Sequence, residues 1–304
     1  MIELRSSADP KATAASLRNF ARDLENVVGA NIEAVDRLNG WRRWVGATAF
    51  ALSPVLTATA LRKHVRGDHY ELLQTLNPAS YGSQLMWLID TETQSRIESL
   101  KADANELERV VDRWTRFGRG VALVLDTNVL LTFGEHLMRA RWYSLTNRLS
   151  HLPISVVIPI QVVEELDTQK DRGAPEARTL ARMTLKWLDS LFGDGYHDDT
   201  IDVAGTARGR CTFRLLVDEL DRVPLPRPDA DIIDRALALQ PFAEEVVIVS
   251  EDRSMRFRAK AAGLGAIEMP FNVVPDGKQQ PRKKEAPNRL APPQGQPGRP
   301  ARTP

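Results

Sequence analysis

Cysteine is nearly absent from this 304-residue chain, in which Cys211 is the only one. A single thiol excludes an internal disulfide and fits a reducing compartment, so we expect a cytoplasmic protein. A zinc site is disfavoured as well, because the five histidines show no ligand spacing and Cys211 stands alone. Any metal chemistry should therefore depend on oxygen ligands.

Three common catalytic motifs are also missing. The chain has no G-x-x-x-x-G-K-[ST] loop, no G-x-G-x-x-G fingerprint and no G-x-S-x-G elbow, which argues against nucleotide hydrolases, dinucleotide enzymes and serine hydrolases. Aromatic residues make up 6% of the chain. Apart from phenylalanine, the aromatic residues between positions 119 and 274 are Trp142, Tyr143, Trp187 and Tyr196. Sequence-specific reading of nucleic acid bases is therefore not predicted.

The chain has no apolar run typical of a leader or an anchor. Its first forty residues carry many charges and lack a short apolar core, so we expect no signal peptide. Residues 44–61 are uncharged but include Pro54 and several Thr, Ser and Gly, whereas a membrane span needs about 20 mostly apolar residues. We predict a buried helix and turn here rather than a span.

The length and composition indicate a globular chain of about two domains. Hydrophobic residues make up 42% and charged residues 27%. Charge is unevenly distributed: residues 275–304 hold seven Lys or Arg against two acids, so this tail carries +5 and the remainder −4, for +1 overall. Eight prolines in the tail predict disorder, and its cations could contact a polyanion or simply be solvated.

Helical periodicity dominates the first 118 residues. Apolar side chains recur at spacings of three and four over residues 11–39 and again from Ile97 to Trp114, which predicts amphipathic helices. Gly118 and Gly120 end this region. We predict an all-helical domain over residues 1–118, packed internally or docking a partner, followed by a second domain over residues 119–274.

Strands and helices alternate in the second domain. We predict strands at 121–125, 154–160, 211–217, 245–250 and 266–269, with helices at 128–149, from 161 to a break near Gly173, and at 175–192, 229–240 and 253–262. This alternation indicates an α/β fold with a mainly parallel sheet covered by helices. Ligands of such sheets bind beyond the carboxyl ends of the strands.

Acidic side chains occupy that edge of the predicted sheet. Asp126 ends the first strand, and acids also follow the second strand, open the fourth helix and follow the fourth strand: Glu164, Glu165, Asp229, Asp231 and Asp252. Helix capping or a favourable helix dipole explains each acid singly. Because all of them fall at one side of one sheet, a shared divalent cation is the alternative. We interpret a further cluster, His197 with Asp198 and Asp199, as a solvated turn.

Four strings carry a family resemblance: LDTNVLL, IPIQVVEELD, DADIIDRAL and VSEDRSMRFRAKAAGL. In order and spacing they resemble the PIN domain family of metal-dependent ribonucleases across residues 119–270. The resemblance implies a PIN-like mainly parallel sheet flanked by helices. It implies four acids as metal ligands and catalytic residues: Asp126, Glu165 with Glu164 as alternate, Asp229 with Asp231 as alternate, and Asp252. The third motif departs from the family pattern, so Asp229 and Asp231 are alternatives for the third acid.

This resemblance implies a phosphodiesterase that cleaves RNA, in single-stranded form, with water activated by Mg²⁺ or Mn²⁺. Hard oxygen ligands select these ions. Asp126 and Asp252 would bind the main ion, Asp229 would assist, and Glu165 would orient water or hold a second ion. Thr127, Asn128 and Ser250 would anchor waters, or are plain turn residues.

Cations near the acids would serve RNA binding. Arg253 and Arg256 would contact phosphates, unless they belong to an ordinary solvated helix face. Two other functions remain open: a catalytically silent RNA-binding or protein-docking module, and the toxin of a toxin–antitoxin pair, although such toxins usually contain little beyond the nuclease fold. The sequence leaves a homo-oligomer open and predicts no membrane partner.

Overall fold

The structure of the protein is a computed structural model. It describes the following residues: 2–30, 33–77, 82–116, 118–146, 152–193, 200–202, 211–218 and 222–273. The predicted disordered tail and the cluster of His197, Asp198 and Asp199 lie outside this part of the chain.

The first region is helical, as its periodicity predicts. Its helices are α1 (Pro10–Ala30), α2 (Ala34–Leu52), α3 (Ala58–Ala60), α4 (Tyr70–Thr75) and α5 (Gly82–Thr115), and a π-helical segment, Leu61–Arg66, follows α3. The long helix α5 packs along α1. Their facing apolar side chains, among them Leu17, Leu24, Leu100 and Leu107, are fully buried. The region therefore has a hydrophobic core of its own.

The single helix predicted over residues 11–39 is in fact two. Glu33 has extended backbone dihedrals, φ −79° and ψ 139°, which cannot continue a helical hydrogen-bond ladder. Leu38 therefore packs into the core from α2 rather than from α1. Residues 44–61 form the end of α2, a turn and α3, and no described helix is long and apolar enough to cross a membrane.

Among the residues that the structure describes, the second region contains a sheet of six strands. The strands are β1 (Val121–Leu125), β2 (Ile154–Pro159), β3 (Thr200–Asp202), β4 (Cys211–Leu216), β5 (Glu245–Val249) and β6 (Gly265–Ile267). They lie in the order β3-β4-β2-β1-β5-β6. Five strands are parallel, and the edge strand β3 runs antiparallel to β4. Every residue of β1 is buried, as expected for a central strand covered on both faces.

The helices of this region are α6 (Thr127–Phe133), α7 (Ile160–Arg172), α8 (Pro175–Phe192), α9 (Pro228–Leu237) and α10 (Arg253–Ala261). Parallel crossovers are almost always right-handed, which assigns α6, α7 and α8 to one face of the sheet and α9 and α10 to the other. The contacts of α8 with α6 and α7, and of α9 with α10, agree with this arrangement.

One helix prediction in this region was too long. Instead of a helix over residues 128–149, α6 ends at Phe133 and two 3₁₀ segments follow, Gly134–Arg139 and Trp142–Leu145. Gly134 has φ +47°, a left-handed conformation that glycine adopts readily and that ends a helix. Trp142 then turns inward and is fully buried against Phe213.

The helical region and the sheet meet through a few large side chains. Trp114 packs against the cores of both, and Phe242 belongs to the helical core although it lies between α9 and β5. The guanidinium of Arg214 stacks 4.6 Å from the centre of the Trp114 ring. Arg119 donates a hydrogen bond to the carbonyl of Ala243 at 2.8 Å. On β4, Cys211 is buried, and burial raises the pKa of its thiol to about 12.

Candidate active site

The candidate site lies where the winding of the sheet reverses. From β1 the chain moves to one side through β2 and β4, then returns to β5 and β6 on the other side. Such a switch point leaves a crevice beyond the carboxyl ends of the two central strands. Here those strands are β1 and β5, whose carboxyl ends carry Asp126 and Ser250.

Asp126 is held at the end of β1 by hydrogen bonds to both carboxylate oxygens. Its Oδ1 accepts from the backbone N–H of Thr127 at 2.7 Å, and its Oδ2 accepts from the hydroxyl of Ser250 at 2.7 Å. The side chain thus caps α6 and bridges β1 to β5. Capping and a functional position are therefore not alternatives at this residue.

Ser250 connects the first and fourth acids of the sequence pattern. Its hydroxyl donates to Asp126 and accepts a hydrogen bond from the backbone N–H of Asp252 at 3.0 Å, and the residue is fully buried. Asp252 is exposed and caps α10, since its carboxylate accepts from the N–H and the hydroxyl of Ser254 at 2.8 and 3.0 Å. Asp252 therefore lies at the rim of the crevice.

Glu165 and Glu164 point in different directions from α7. The carboxylate of Glu165 accepts a hydrogen bond from the hydroxyl of Thr127 at 2.6 Å. Thr127 is buried and follows Asp126 directly in the chain. Glu164 is exposed. Consecutive side chains on a helix point in directions about 100° apart, which is why only one of the two reaches the crevice.

Asp229 and Asp231 are separated in the same way on α9. Asp231 is 1% exposed and accepts hydrogen bonds from Arg222, at 2.6 and 3.1 Å, and from the N–H of Leu225 at 2.8 Å. Burial alone would raise the pKa of Asp231, but its bonds to Arg222 and Leu225 hold it below the ordinary value. Asp231 is thus part of a buried ion-pair cluster.

Asp229 is half exposed and pairs with Arg258 of α10 at 3.0 Å. The pKa of Asp126 is raised overall. Burial raises this pKa most, and the hydrogen bonds from Ser250 and Thr127 lower it. The negative charges of Glu165 and Asp229 raise it further. Asp126 therefore lies within electrostatic reach of two other sequence-predicted acids, Glu165 and Asp229.

The other predicted residues differ in their surroundings. Asn128 is exposed, and Arg253 is exposed beside Asp252. Arg256 instead donates to the carbonyl of Ser250 at 2.7 Å and to Glu268 at 3.1 Å, so its guanidinium supports the end of β5. The pairing of Asp229 with Arg258 was not predicted from the sequence, because a separation of 29 residues does not show that α9 and α10 are neighbours.

The donor set suits a hard divalent cation. Asp126, Glu165 and Asp229 supply carboxylate oxygens. Burial raises the pKa of Asp126 most, and a cation among the three acids would relieve the repulsion that adds to this effect. Over the residues that the structure describes, no group of three or more His, Cys, Asp or Glu side chains is placed to hold a metal ion. Mg²⁺ commonly needs only one or two carboxylates and completes its shell with water. The residues therefore fit a partly hydrated ion.

Comparisons with known proteins find similarity over about half of this chain. The PIN domain family model matches residues 123–270. Protein PhoH2 of Thermobispora bispora is 33% identical over 158 residues, which cover 50% of this chain and 32% of the relative. The chain thus spans about a third of that curated relative. A domain of a functionally unknown protein from Methanocaldococcus jannaschii aligns with 49% of this chain and 91% of its own, at 16% identity and a TM-score of 0.30.

The family match covers β1 to β6 almost completely and includes all four acid-bearing motifs. PIN domains have a nuclease-type fold, and the helical region before β1 lies outside the match. Residues 123–270 of this chain therefore match the PIN domain family and have a PIN-like, mainly parallel sheet flanked by helices, and an N-terminal helical region precedes them.

Proposed function

We propose that this protein is a divalent-metal-dependent ribonuclease that cleaves single-stranded RNA at the crevice between β1 and β5. The observation that carries the proposal is Asp126: a carboxylate only 6% exposed, at a topological switch point, whose pKa is raised by burial and by two further acids. Such perturbed groups cluster at functional sites.

Each residue of the crevice has a part in this proposal. Asp126 and Glu165 would hold the ion, and Asp229 would join them once released from Arg258. A bound Mg²⁺ or Mn²⁺ would supply Lewis acidity, activating water and neutralising charge on the phosphodiester. Thr127 fixes Glu165, Ser250 fixes Asp126, and Asp252 lies at the rim, where Arg253 could contact a phosphate.

The test is cleavage of end-labelled single-stranded RNA and DNA by the full chain in Mg²⁺, Mn²⁺ or EDTA. Asp126→Asn and Glu165→Gln should lower the rate at least 100-fold. Glu164→Gln is the matched control, because it removes an exposed carboxylate from the same helix and should cleave like the wild type. Cleavage that persists in EDTA, or undiminished activity of Asp126→Asn, would reject the mechanism.

A second readout does not depend on activity. An ion at about 100 times its dissociation constant should stabilise the folded protein by about 2.7 kcal/mol. We therefore expect Mg²⁺ to raise the melting temperature of the wild type and of Glu164→Gln but not of Asp126→Asn. An equal increase in all three proteins would place the ion elsewhere.

A catalytically silent RNA-binding or protein-docking module is the second candidate. It is favoured by the ion pair between Asp229 and Arg258 and by the absence, among the described residues, of a group of three or more His, Cys, Asp or Glu side chains placed to hold a metal ion. RNA binding without cleavage in any of the metals would support this alternative.

A further inference from the structure

Helix α10 has an exposed face that combines two cations with an aromatic ring. Met255 and Ala259 are buried, whereas Arg253, Phe257 and Lys260 are exposed. At about 100° per residue, these three side chains fall within roughly 60° of one another, opposite the buried pair. Phe257 is 73% exposed, so its ring is available to a ligand.

This face lies beside the candidate active site. α10 begins at Arg253, directly after its capping residue Asp252. Phe257 follows Asp252 by five residues, about one and a half helical turns, and helical Cα–Cβ bonds tilt toward the N-terminus, which is the end of α10 at the crevice. Arg256 and Arg258, on either side of Phe257 in sequence, are bound to Glu268 and Asp229. Both of these neighbouring arginines are thus paired with acids of this chain.

Single-stranded nucleic acid matches this combination of groups. Its backbone phosphates pair with cations, and its unstacked bases can stack on an aromatic ring, whereas a duplex keeps its bases stacked internally. From Arg253 to Lys260 the helix rises roughly 10 Å, the length of about three stacked nucleotides at ~3.4 Å each. We propose that Phe257 stacks on a base of a single-stranded substrate while Arg253 and Lys260 bind neighbouring phosphates. This rests on the proposed function of the crevice.

The test is binding of a fluorescently labelled single-stranded RNA to the full chain in EDTA, measured by anisotropy. Phe257→Ala should weaken binding roughly tenfold, equivalent to about 1.4 kcal/mol, and Phe257→Tyr should restore it. Phe50→Ala is the matched control, since Phe50 is 83% exposed in the helical region. Arg253→Ala and Lys260→Ala should each weaken binding and reduce its salt dependence.

Two further comparisons separate this inference from the proposed function. Phe257→Ala should bind a duplex of the same sequence as the wild type does, because the duplex offers no free base. Equal binding of the single strand by Phe257→Ala and wild type would overturn the inference and leave the face to another partner, such as a protein. Cleavage is assayed in parallel: loss of activity in Asp126→Asn supports the proposed function whatever Phe257 does.

Discussion

Asp126 links the chemistry of single residues to the stability of the fold. Because burial and then the charges of Glu165 and Asp229 raise its pKa, the folded protein binds the proton of this carboxyl more tightly than the unfolded chain does. The contribution of Asp126 to the free energy of unfolding is therefore fully present below the ordinary pKa of 3.8. It is lost as the pH rises through the raised pKa of the folded state.

The first prediction concerns Asp126→Asn without metal. Removing the ionisable group should raise the melting temperature at pH 7 relative to the wild type, and the difference should shrink as the pH falls toward 4. Differential scanning fluorimetry in EDTA measures both trends. Asp167→Asn, which removes an exposed acid paired with Lys170, should show neither, and a less stable Asp126→Asn at pH 7 would contradict the argument.

The second prediction separates Asp229 from Asp231. Asp231→Asn breaks a buried ion pair with Arg222 and should reduce the free energy of unfolding by about 3 kcal/mol. Asp229→Asn removes only an exposed pair and should stay within about 1 kcal/mol of the wild type. Urea unfolding tests these values. Below the unfolding transition, cleavage should fall in Asp229→Asn and persist in Asp231→Asn; the reverse order would exchange their roles.

At the scale of elements, the positions of the acids follow from where strands and helices end. The third prediction concerns the start of α6, where the Thr127 hydroxyl binds Glu165. Thr127→Val keeps the buried shape but loses the donor, so cleavage should fall roughly tenfold. Thr127→Ser keeps the hydroxyl and should retain most activity. Initial rates over a Mg²⁺ titration provide the measurement, and full activity in Thr127→Val would show that Glu165 needs no such support.

The parallel strands were predictable because they are short, apolar and bounded by turns. The carboxylates at their ends then followed from the rule for parallel sheets. Three features were not predictable. The strand β3 has only three residues, α6 stops at a glycine within an otherwise helical pattern, and the break before α2 depends on the backbone of Glu33.

Side-chain partnerships were harder to predict than elements. The sequence left Glu164 or Glu165, and Asp229 or Asp231, as alternatives, because each pair lies on one helix turn. What separates the members is the rotation of the helix against its neighbours. Arg222 binds Asp231, and Thr127 binds Glu165, and both partners come from other segments of the chain. Local patterns contain no information about such contacts.

At the scale of the whole molecule, Phe242 joins the two regions: it lies in the loop before β5 but packs into the helical core. The fourth prediction is that Phe242→Ala reduces the free energy of unfolding by about 3 kcal/mol. Phe50→Ala, at an exposed position, should change it by no more than about 0.5 kcal/mol. Urea titrations followed by circular dichroism and tryptophan fluorescence measure both, and similar values for the two variants would show that the regions are energetically independent.

Because Cys211 is buried, the rate at which its thiol can be labelled measures the opening of the sheet. The chain has no other thiol, and only the thiolate reacts with maleimides and aromatic disulfides, so the intact native chain should resist these reagents. Labelling then requires an opening that exposes Cys211, for example separation of β4 from β2, where Cys211 pairs with Ile154, and the rate of labelling reports how often such openings occur. Asp231→Asn should label faster than the wild type, and a bound ion should slow the modification of the wild type.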